Sequence, residues 1–441
     1  MNIDLDQTIR DALGPQFGEP LDVMQHGEAE LPSCFAVTDL AVTTVRAAAI
    51  ELAALTGRQS VRLNRLLTAL WFDMTLRPYG WALPAAWDSI AGAYRTQDGW
   101  IRLHTNAPHH RAAALRVLDC QAEKAHVADA VASWKRSELE STIVAEGGAA
   151  AAMHTMKEWS AHPQGKAVRN EPLIAWQKTA ESAKPMILEG LKVLDLTRVL
   201  AGPVATRFLA GFGANVLRID PPWWDEPAVE PEVTLGKRRA GLDLTQAPDR
   251  KRFEQLLANT DVLVHGYRPG ALAGLGYDQD RLDELAPQRI DVSLCAYGWT
   301  GPWAHRGGFD SLVQMSSGIA AEGMRRKSAE HPVPLPVQAL DHATGYLMAA
   351  AILRAVRVRN HTGDSLSARL SLAGTAALLV SGGSRAFRGE TINETTHDLG
   401  TSVEQTHWGA ARRVKFPVQL DSEGPIWRHP AGPLRVDPPA W

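Results

Sequence analysis

The sequence has 441 residues, of which 45% are hydrophobic and 22% charged, and its formal net charge at pH 7 is −3. A chain of this length can bury a sizeable core in two or more domains. Its small net charge gives no reason to expect nucleic acid or an acidic membrane surface as a partner. The three cysteines, Cys34, Cys120 and Cys295, form no CxxC pair, which argues against a disulfide framework or a thiolate metal site.

The sequence opens on an acidic stretch rather than on a basic segment followed by an apolar one, which is the pattern of a secretory leader. No apolar run reaches the roughly 20 residues that a membrane-spanning helix needs. We therefore expect a cytoplasmic protein.

The first long predicted element is an Ala-rich helix within residues 34–80, after an N-terminal extension over 1–33. Segments 36–63 and 337–370 each place an aspartate, Asp39 or Asp341, at the same distance before Ala-Ala-Ala-Ile. A Thr-Gly pair and an Arg-Leu pair then follow in the same order in both. This shared order indicates a duplication in which each copy is a helix, a glycine stop and a further buried segment.

Residues 81–165 have the pattern of a small α+β domain. A strand pair is predicted around a turn at Asp98-Gly99, and a helix over 107–118 follows it. A second helix is predicted over 127–148, ending at the two glycines. Residues 166–188 are expected to be a linker.

Strands and helices alternate from residue 189 to about 330. Strands are predicted over 191–197, 215–220, 240–245, 261–267 and 289–298, with helices over 203–213 and 247–260. This alternation predicts a doubly wound, Rossmann-like parallel sheet, so the fold class is α/β with a second, smaller α+β domain. Ligands on such sheets bind beyond the carboxyl ends of the strands. Residues 331–382 carry the second Ala-rich helix, and 383–441 are expected to wrap over other elements.

Two basic clusters carry no recognisable metal or nucleotide motif. His104, His109 and His110 lack the HExxH spacing of a zinc site, so we interpret them as exposed or helix-capping residues. The segment Lys237 to Arg239 is either a set of phosphate donors or a solvated loop. The region also lacks a GxxxxGK[ST] loop, a GxGxxG turn and a GxSxG elbow.

Residues 191–345 resemble the family III CoA-transferases, the CaiB/BaiF group that includes the formyl-CoA and carnitine CoA-transferases. Five segments carry the resemblance, in the family's order: VLDLTRVLAGPVATRFLAGFGANVLRID, GKRRAGLDLT, DVLVHGYRPGALAGLGYD, AYGWTGPWAHRGGFDSLVQMSSGIAAEG and QALDHATG. Trp299 stands where the family usually has a glycine. The small domain resembles one that normally follows the catalytic segment, and WGAARRVKFPVQL resembles the family's final return segment, so the segment order is rearranged.

The resemblance implies a transferase that moves CoA between an acyl-CoA donor and a small carboxylic acid. Asp341 matches the family's catalytic aspartate, which attacks the thioester and forms a mixed anhydride and then an aspartyl-CoA thioester. The alternative for Asp341 is a cap on the helix that follows it, and Asp39 is interpreted as a cap or a relic of the duplication. The resemblance further implies CoA as a substrate, no permanently bound cofactor or metal, and a homodimer.

The resemblance also implies which residues contact CoA. The matching positions are Leu200 and Ala201 in the first turn, Leu242, Asp243, Leu244 and Thr245 along the nucleotide, and Gly266, Tyr267 and Arg268 beside the pantetheine and phosphates. Two arginines of the family are replaced, by Pro221 and Gly274. Each lost charge-assisted bond weakens CoA binding by about 1.5–3 kcal/mol, and the 237–239 segment is one candidate for compensating them.

Two other functions stay open at this stage. An acyl-CoA racemase of the same family pairs the aspartate with a histidine where this sequence has Phe309, and phenylalanine cannot carry a proton. His342 could substitute for that histidine only if it points the same way as its neighbour. A non-catalytic CoA-binding scaffold is the third possibility.

Overall fold

The computed structural model describes residues 4–15, 21–181 and 183–441. Its first part combines helices with short strands that are completed by the C-terminal end of the chain. The elements in order are α1 (Leu5–Leu13), β1 (Asp22–His26), α2 (Val37–Thr56), β2 (Ser60–Asn64), α3 (Arg65–Leu70) and β3 (Leu76–Pro78). Because β1 and β2 run parallel, the connection between them is the long helix α2 rather than a tight turn.

The small α+β domain follows and has its own hydrophobic core. Its elements are β4 (Gly92–Thr96), β5 (Gly99–Leu103), α4 (Pro108–Leu118), α5 (Lys124–Ala132), α6 (Arg136–Ala145), β6 (Ala150–Ala152), α7 (Met156–Ala161) and α8 (Pro163–Asn170). Strands β4, β5 and β6 form one antiparallel sheet, and the predicted turn at Asp98-Gly99 is present.

The single helix predicted over 127–148 is wrong, because the chain breaks between α5 and α6. The carbonyl of Trp134 accepts a hydrogen bond from the backbone N–H of Gln97 at 3.0 Å. The Asp98 carboxylate accepts one from the N–H of Arg136 at 2.8 Å. The hairpin turn thus takes up backbone groups that a continuous helix would need for itself.

The large domain is built on a seven-stranded sheet. Its elements are β7 (Ala175–Ala180), β8 (Lys192–Leu196), α9 (Ala201–Gly211), β9 (Asn215–Asp220), α10 (Glu230–Val233), β10 (Arg238–Gly241), α11 (Ala247–Leu257), β11 (Val262–His265), α12 (Ala271–Gly274), α13 (Gln279–Leu285), β12 (Ile290–Cys295), α14 (Asp310–Ser316), α15 (Ile319–Lys327), α16 (Ala339–Thr362), β13 (Ser365–Ser371) and α17 (Leu372–Ser381).

The sheet order is β10-β9-β8-β11-β12-β13-β7, with every neighbouring pair parallel except β13 and β7. The order of the six parallel strands is that of a Rossmann sheet, so the predicted fold class is confirmed. The linker predicted over 166–188 needs correction, because strand β7 lies inside it and forms one edge of the sheet.

The two faces of the sheet bury separate cores. On β8, Val193 belongs to the core under α9 and α16, whereas its neighbour Leu194 belongs to the core under α11 and α13. Successive strand residues point to opposite faces, so helices must cover both sides. No helix in the described part of the chain combines the length and the apolar character that crossing a membrane requires.

The two Ala-rich helices α2 and α16 pack against each other beside the sheet. Both end at a glycine in the left-handed region, Gly57 with φ 68° and Gly363 with φ 79°, as the repeat predicted. The strands that follow them go to different sheets, β2 to a three-stranded sheet and β13 to the large one.

The C-terminal segment adds its strands to sheets of the first part of the chain. They are β14 (Glu404–Thr406), β15 (Gly409–Arg413) and β16 (Val418–Leu420). Strand β15 pairs with β3 and β16 pairs with β2, both antiparallel. The two ends of the chain are therefore joined by backbone hydrogen bonds.

Candidate active site around Asp341

Asp341 lies in the first turn of α16, at the junction of two cavities. Its side chain is largely buried, with 6% of the residue's surface exposed, yet it lines both cavities. The N-cap residue of the helix is Gln338 rather than Asp341, so the interpretation of Asp341 as a helix cap is wrong. The carboxylate is buried at the edge of open space rather than beneath packed side chains.

Another aspartate fixes the backbone of this turn. The fully buried Asp310, at the start of α14, accepts hydrogen bonds through Oδ2 from the N–H groups of Leu340 at 2.8 Å and Asp341 at 3.0 Å. The Gln314 side chain donates to the other Asp310 oxygen and accepts from the N–H of Leu335 at 2.7 Å. Asp310 thus satisfies the free N–H groups that begin a helix and holds Asp341 in place.

Burial raises the proton affinity of both carboxyl groups. Burial raises the pKa of Asp341 well above its usual range, and the nearby Asp310 carboxylate raises it further. Burial raises the pKa of Asp310 to about 6, although hydrogen bonds from Asp341, Gln314 and Leu340 oppose the shift.

A reaction that needs the Asp341 carboxylate should therefore lose rate at a higher pH than an ordinary aspartate would allow. We expect the acid limb of the kcat profile to lie above pH 4, roughly the value of an unperturbed Asp, because the protonated acid is not nucleophilic. Asp310→Asn removes the repelling charge but keeps a side-chain oxygen for the two N–H groups, so the limb should move to lower pH. A wild-type limb near pH 4, or an unmoved limb in the variant, would contradict this assignment.

We call the first cavity the basic cavity. It has a volume of about 640 Å³ and lies beyond the carboxyl ends of β8 and β11. Its cationic and imidazole side chains come from the large domain and the small domain: Arg198, Arg268, Arg306, His305, His109 and His110. Among the described residues, neither Arg198 nor Arg268 forms an ion pair with a carboxylate, whereas Arg306 pairs with Glu140 at 2.8 Å. The cavity therefore offers positive charge to an anionic ligand.

Three aromatic rings hold Arg198 at the cavity wall. Its guanidinium carbon lies 5.0 Å from the ring centre of Trp224 and 5.4 Å from those of Trp223 and Tyr267. Stacking on aromatic faces favours a guanidinium and restricts its motion. Sequence reasoning did not single out Arg198, although it stands in the first turn of the sheet, where ligands of this fold class bind.

We call the second cavity the apolar cavity, with a volume of about 540 Å³. Its wall comes from residues 72–107 of the first part of the chain, from the 199–232 segment of the large domain and from the start of α16. Most of the lining is aliphatic or aromatic, including Phe72, Met74, Trp87, Val229 and Phe309. The two halves of the chain together form this cavity.

Val199 separates the two cavities and lines both. Its φ of 64° lies in the left-handed region, which is uncommon for a β-branched residue and strained. Its N–H donates to Glu226 at 2.9 Å, and Arg218 holds that carboxylate at 2.5 Å. The surrounding ion pair thus fixes the turn that divides the site.

The residues predicted to contact CoA fall into three groups. Ala201, Gly266, Tyr267 and Arg268 line the basic cavity together with Asp341. Leu200 lines the apolar cavity instead. Leu242, Asp243, Leu244 and Thr245 are not among the residues that line either cavity, and Leu242 and Leu244 belong to the core under α11 and α13. Their contact with CoA stays a prediction.

The interpretation of the three histidines as exposed or capping residues is wrong for His104. This residue is buried, lines the apolar cavity, and stacks on Phe309 with ring centres 3.7 Å apart. Burial, aided by the nearby His110 and Arg102, lowers its pKa to about 3. His109 and His110 line the basic cavity. Spacing could not reveal this, because the partner of His104 lies about 200 residues along the chain.

The interpretation of segment 237–239 as a solvated loop is wrong, because Lys237 and Arg239 are buried. None of its three residues lines either cavity, so a contact with phosphate stays a prediction. Lys237 is fully buried and donates to Asp195 and to the carbonyl of Pro203, both at 3.0 Å. Arg238 donates to the carbonyl of Ala440 at 2.7 Å, and Arg239 donates to that of Pro430 at 3.1 Å. The segment joins the sheet to the C-terminal tail.

His342 is poorly suited to serve as the second proton carrier that a racemase would need beside Asp341. It is buried and stacks on Phe72 with ring centres 5.1 Å apart. Burial, with the nearby Arg207 charge, lowers its pKa to about 3. Its ring lines the apolar cavity as a neutral group.

Comparison with known proteins identifies the family. Residues 188–407 match the model of CoA-transferase family III. The chain belongs to CoA-transferase family III through this region, which confirms the resemblance seen in the sequence. The match covers the six parallel strands of the sheet, the Asp310 segment and helix α16.

Several curated proteins are similar to this chain. An acetyl-coenzyme A transferase of Hypoxylon pulicicidum is 33% identical over 210 residues, covering 46% of this chain and 35% of that protein. The succinyl-CoA:glutarate CoA-transferase of Mus musculus is 35% identical over 205 residues, covering 43% and 46%. A probable fatty acyl-CoA transferase of Mycobacterium tuberculosis is 32% identical over 199 residues, covering 42% and 50%. The chain thus matches half or less of the length of these three relatives.

Among solved structures, a hypothetical protein from Mycobacterium tuberculosis aligns with a TM-score of 0.39 and 29% identity, covering 45% of this chain and 58% of that one. A CaiB/BaiF family protein from Brucella suis aligns with a TM-score of 0.40 and 24% identity, covering 52% and 65%.

Proposed function

We propose that this chain is a CoA-transferase that moves CoA from an acyl-CoA donor to a carboxylic acid, with Asp341 as the nucleophile. One observation carries the proposal: Asp341 is the carboxylate at which a basic cavity and an apolar cavity meet. A CoA thioester has the same division, with an anionic nucleotide on one side of the sulfur and an acyl group on the other. The family match and the relatives named as CoA-transferases support this assignment.

The proposed reaction needs no group beyond the two substrates and Asp341. The Asp341 carboxylate attacks the thioester carbonyl, and the C–S bond breaks to give an aspartyl-acyl anhydride and CoA thiolate. The thiolate attacks the aspartyl carbonyl, releases the donor acid as a carboxylate and leaves an aspartyl-CoA thioester. The acceptor carboxylate displaces CoA to form a second anhydride. The thiolate then attacks the acceptor carbonyl, forming the new acyl-CoA and restoring Asp341.

The environment of Asp341 suits a carboxylate nucleophile in two ways. None of the described residues donates a hydrogen bond to its side chain, and its burial limits the stabilisation of the charged form. A less stabilised carboxylate has more to gain from forming a covalent bond. The Asp310 cap keeps the backbone fixed through the successive attacks.

The racemase alternative has less support. A racemase needs a second proton carrier whose pKa lies near the working pH. Phe309 stands at the expected position, and His104 behind it has a pKa lowered to about 3 by burial. An imidazole that is so weakly basic is poorly suited to removing an α-proton.

Trapping with hydroxylamine tests the proposed function. An acyl-CoA donor plus hydroxylamine should convert the Asp341 side chain to a hydroxamate, which peptide mass spectrometry can locate. Asp39 is a matched internal control, because it holds the same place in the other Ala-rich helix but pairs with Arg65 at 2.7 Å. An unmodified Asp341 across a donor panel overturns the proposal. If CoA still binds in calorimetry, the scaffold alternative is then favoured, and proton exchange in deuterated water without an acceptor would favour the racemase.

Arg198 is proposed to bind the phosphates of CoA. We expect Arg198→Gln to raise the KM for the acyl-CoA about tenfold to hundredfold, because a hydrogen bond to a charged group contributes about 1.5–3 kcal/mol. The effect on kcat should be small, and the difference should shrink as salt is added. Arg281→Gln is the control, since Arg281 pairs with Glu254 and Glu284 on the surface of the same domain. An unchanged KM would remove Arg198 from the site.

A homodimer in the cytoplasm is part of the same proposal. Residues of one chain line both cavities, so a single chain already provides the proposed reaction centre. Light scattering after size exclusion tests the dimer. If the chain is active as a monomer, association is not required for transfer.

A further inference from the structure

We infer that the transferred acid is a monocarboxylic acid whose remainder is uncharged and largely apolar, such as a medium-length aliphatic or aryl-substituted acyl group. The inference rests on the proposed function and assigns the apolar cavity to the acyl chain. At about 540 Å³ the cavity lies within the range of small-molecule sites. This volume is larger than a formyl or acetyl group would fill.

The lining of the apolar cavity differs in charge from that of the basic cavity. Arg198, Arg268 and Arg306 line the basic cavity. Among the described residues that line the apolar cavity, there is no lysine or arginine. An anionic nucleotide placed on the basic side leaves the acyl group on the side without cations. A second carboxylate on that group would have no positive partner there.

Arginines do lie behind the wall of this cavity, but carboxylates of the wall already pair with most of them. Glu232 binds Arg207 at 2.6 Å and Arg413 at 3.3 Å. Glu226 binds Arg218 at 2.5 Å. These ion pairs are buried, and a substrate carboxylate would have to compete with a protein carboxylate for each guanidinium.

Two further arginines also form ion pairs with carboxylates of the cavity wall. Asp88 binds Arg111 at 3.3 Å and Asp225 binds Arg435 at 2.5 Å. Arg102 stacks 4.6 Å from the ring centre of Trp87 and does not itself line the cavity. The acids of the wall would instead repel an additional negative charge.

The remaining surface of the cavity favours apolar groups. Phe72, Trp87, Trp224 and Phe309 present aromatic rings, and Met74, Val229 and Val337 present aliphatic groups. Burying apolar atoms against such a wall removes them from water without leaving a polar group unsatisfied. Burying a carboxylate there would remove its hydration without replacing it.

The test compares donors of matched length. Hexanoyl-CoA and adipyl-CoA share the same carbon chain and differ in one terminal carboxylate, and 3-phenylpropionyl-CoA adds a ring. We expect the second-order rate constant for hydroxamate formation on Asp341 to be at least about 100-fold higher with hexanoyl-CoA and 3-phenylpropionyl-CoA than with adipyl-CoA, because the site rejects an unpaired buried charge. Equal values, or a preference for adipyl-CoA, would overturn the inference and leave the transferase intact.

A donor with a cationic acyl group completes the panel, because the wall contains aspartates and glutamates but no lysine or arginine among its described residues. A preference for 4-(trimethylammonio)butyryl-CoA over hexanoyl-CoA would also overturn the inference. If no donor modifies Asp341, the proposed function itself fails and the inference fails with it. The two failures are therefore distinguishable in one experiment.

A variant provides a second readout. Met74→Arg adds a cation to the wall and should raise the adipyl-to-hexanoyl ratio of these rate constants about tenfold or more. Met74→Gln has a similar length without the charge and should leave that ratio within a few-fold of the wild-type value. An unchanged ratio in a folded Met74→Arg protein would count against the assignment. If that variant fails to fold, the wild-type panel decides alone.

Discussion

Replacing Asp341 by asparagine is expected to abolish CoA transfer, with a fall in kcat of roughly three orders of magnitude or more, as for the loss of other covalent nucleophiles. The amide has nearly the same volume but cannot form the anhydride. Because Asp341 N–H, rather than its side chain, is bound by Asp310, helix α16 should keep its position. Initial rates with the best donor and acceptor pair measure the effect.

The control for this prediction is Asp39→Asn. Asp39 occupies the corresponding position in α2, but it pairs with Arg65 and lies outside both cavities. Transfer should continue at close to the wild-type rate. CoA binding by calorimetry should survive in the Asp341 variant, which separates loss of chemistry from loss of the site. Substantial transfer by the Asp341→Asn protein would exclude an aspartyl intermediate.

Removing the carboxylate of Glu51 should destabilise the whole protein. Glu51 is fully buried on α2 and binds Arg354 and Arg357 of α16, each at 2.6 Å. Deleting one member of a buried ion-pair network costs about 3–5 kcal/mol, because the remaining charges stay in a dry environment. Glu51→Ala should show this loss in the free energy of unfolding by urea.

A surface pair gives the matched control. Glu423 binds Arg58 at 2.5 Å, but both side chains are exposed, and exposed pairs contribute about 0–1 kcal/mol. Glu423→Ala should therefore leave the urea midpoint almost unchanged. A small effect of Glu51→Ala would contradict this prediction.

Local pattern was enough to predict four central strands of the sheet, β8, β9, β11 and β12. The strands β8, β9, β11 and β12 are short segments rich in Val, Leu and Ile, because helices cover both faces and nearly every side chain is buried. Strand β7 escaped prediction because its residues AWQKTA are only half-buried at an edge and show no apolar run. The break between α5 and α6 depends on hydrogen bonds from a hairpin that lies about 40 residues earlier in sequence.

The site was predictable only where a motif could be matched. Asp341, Ala201 and the 266–268 turn came from the resemblance and do line the basic cavity. The apolar cavity could not be predicted, because it depends on how residues 72–107 meet residues 199–342. Lys237 illustrates the same limit: its partner Asp195 lies on another strand, so a cluster that reads as a surface loop is in fact internal.

The order of the strands has a consequence for how the chain folds during synthesis. Strand β7 emerges before the six strands of its sheet, yet its partner β13 is made about 190 residues later. The separation in sequence between helix α2 and its partner α16 is larger still. Early segments must therefore remain unpaired on the ribosome while their partners are translated, and contacts of such large sequence separation form slowly. The small domain has its own core. We therefore expect it to be the first part of the chain to fold during translation.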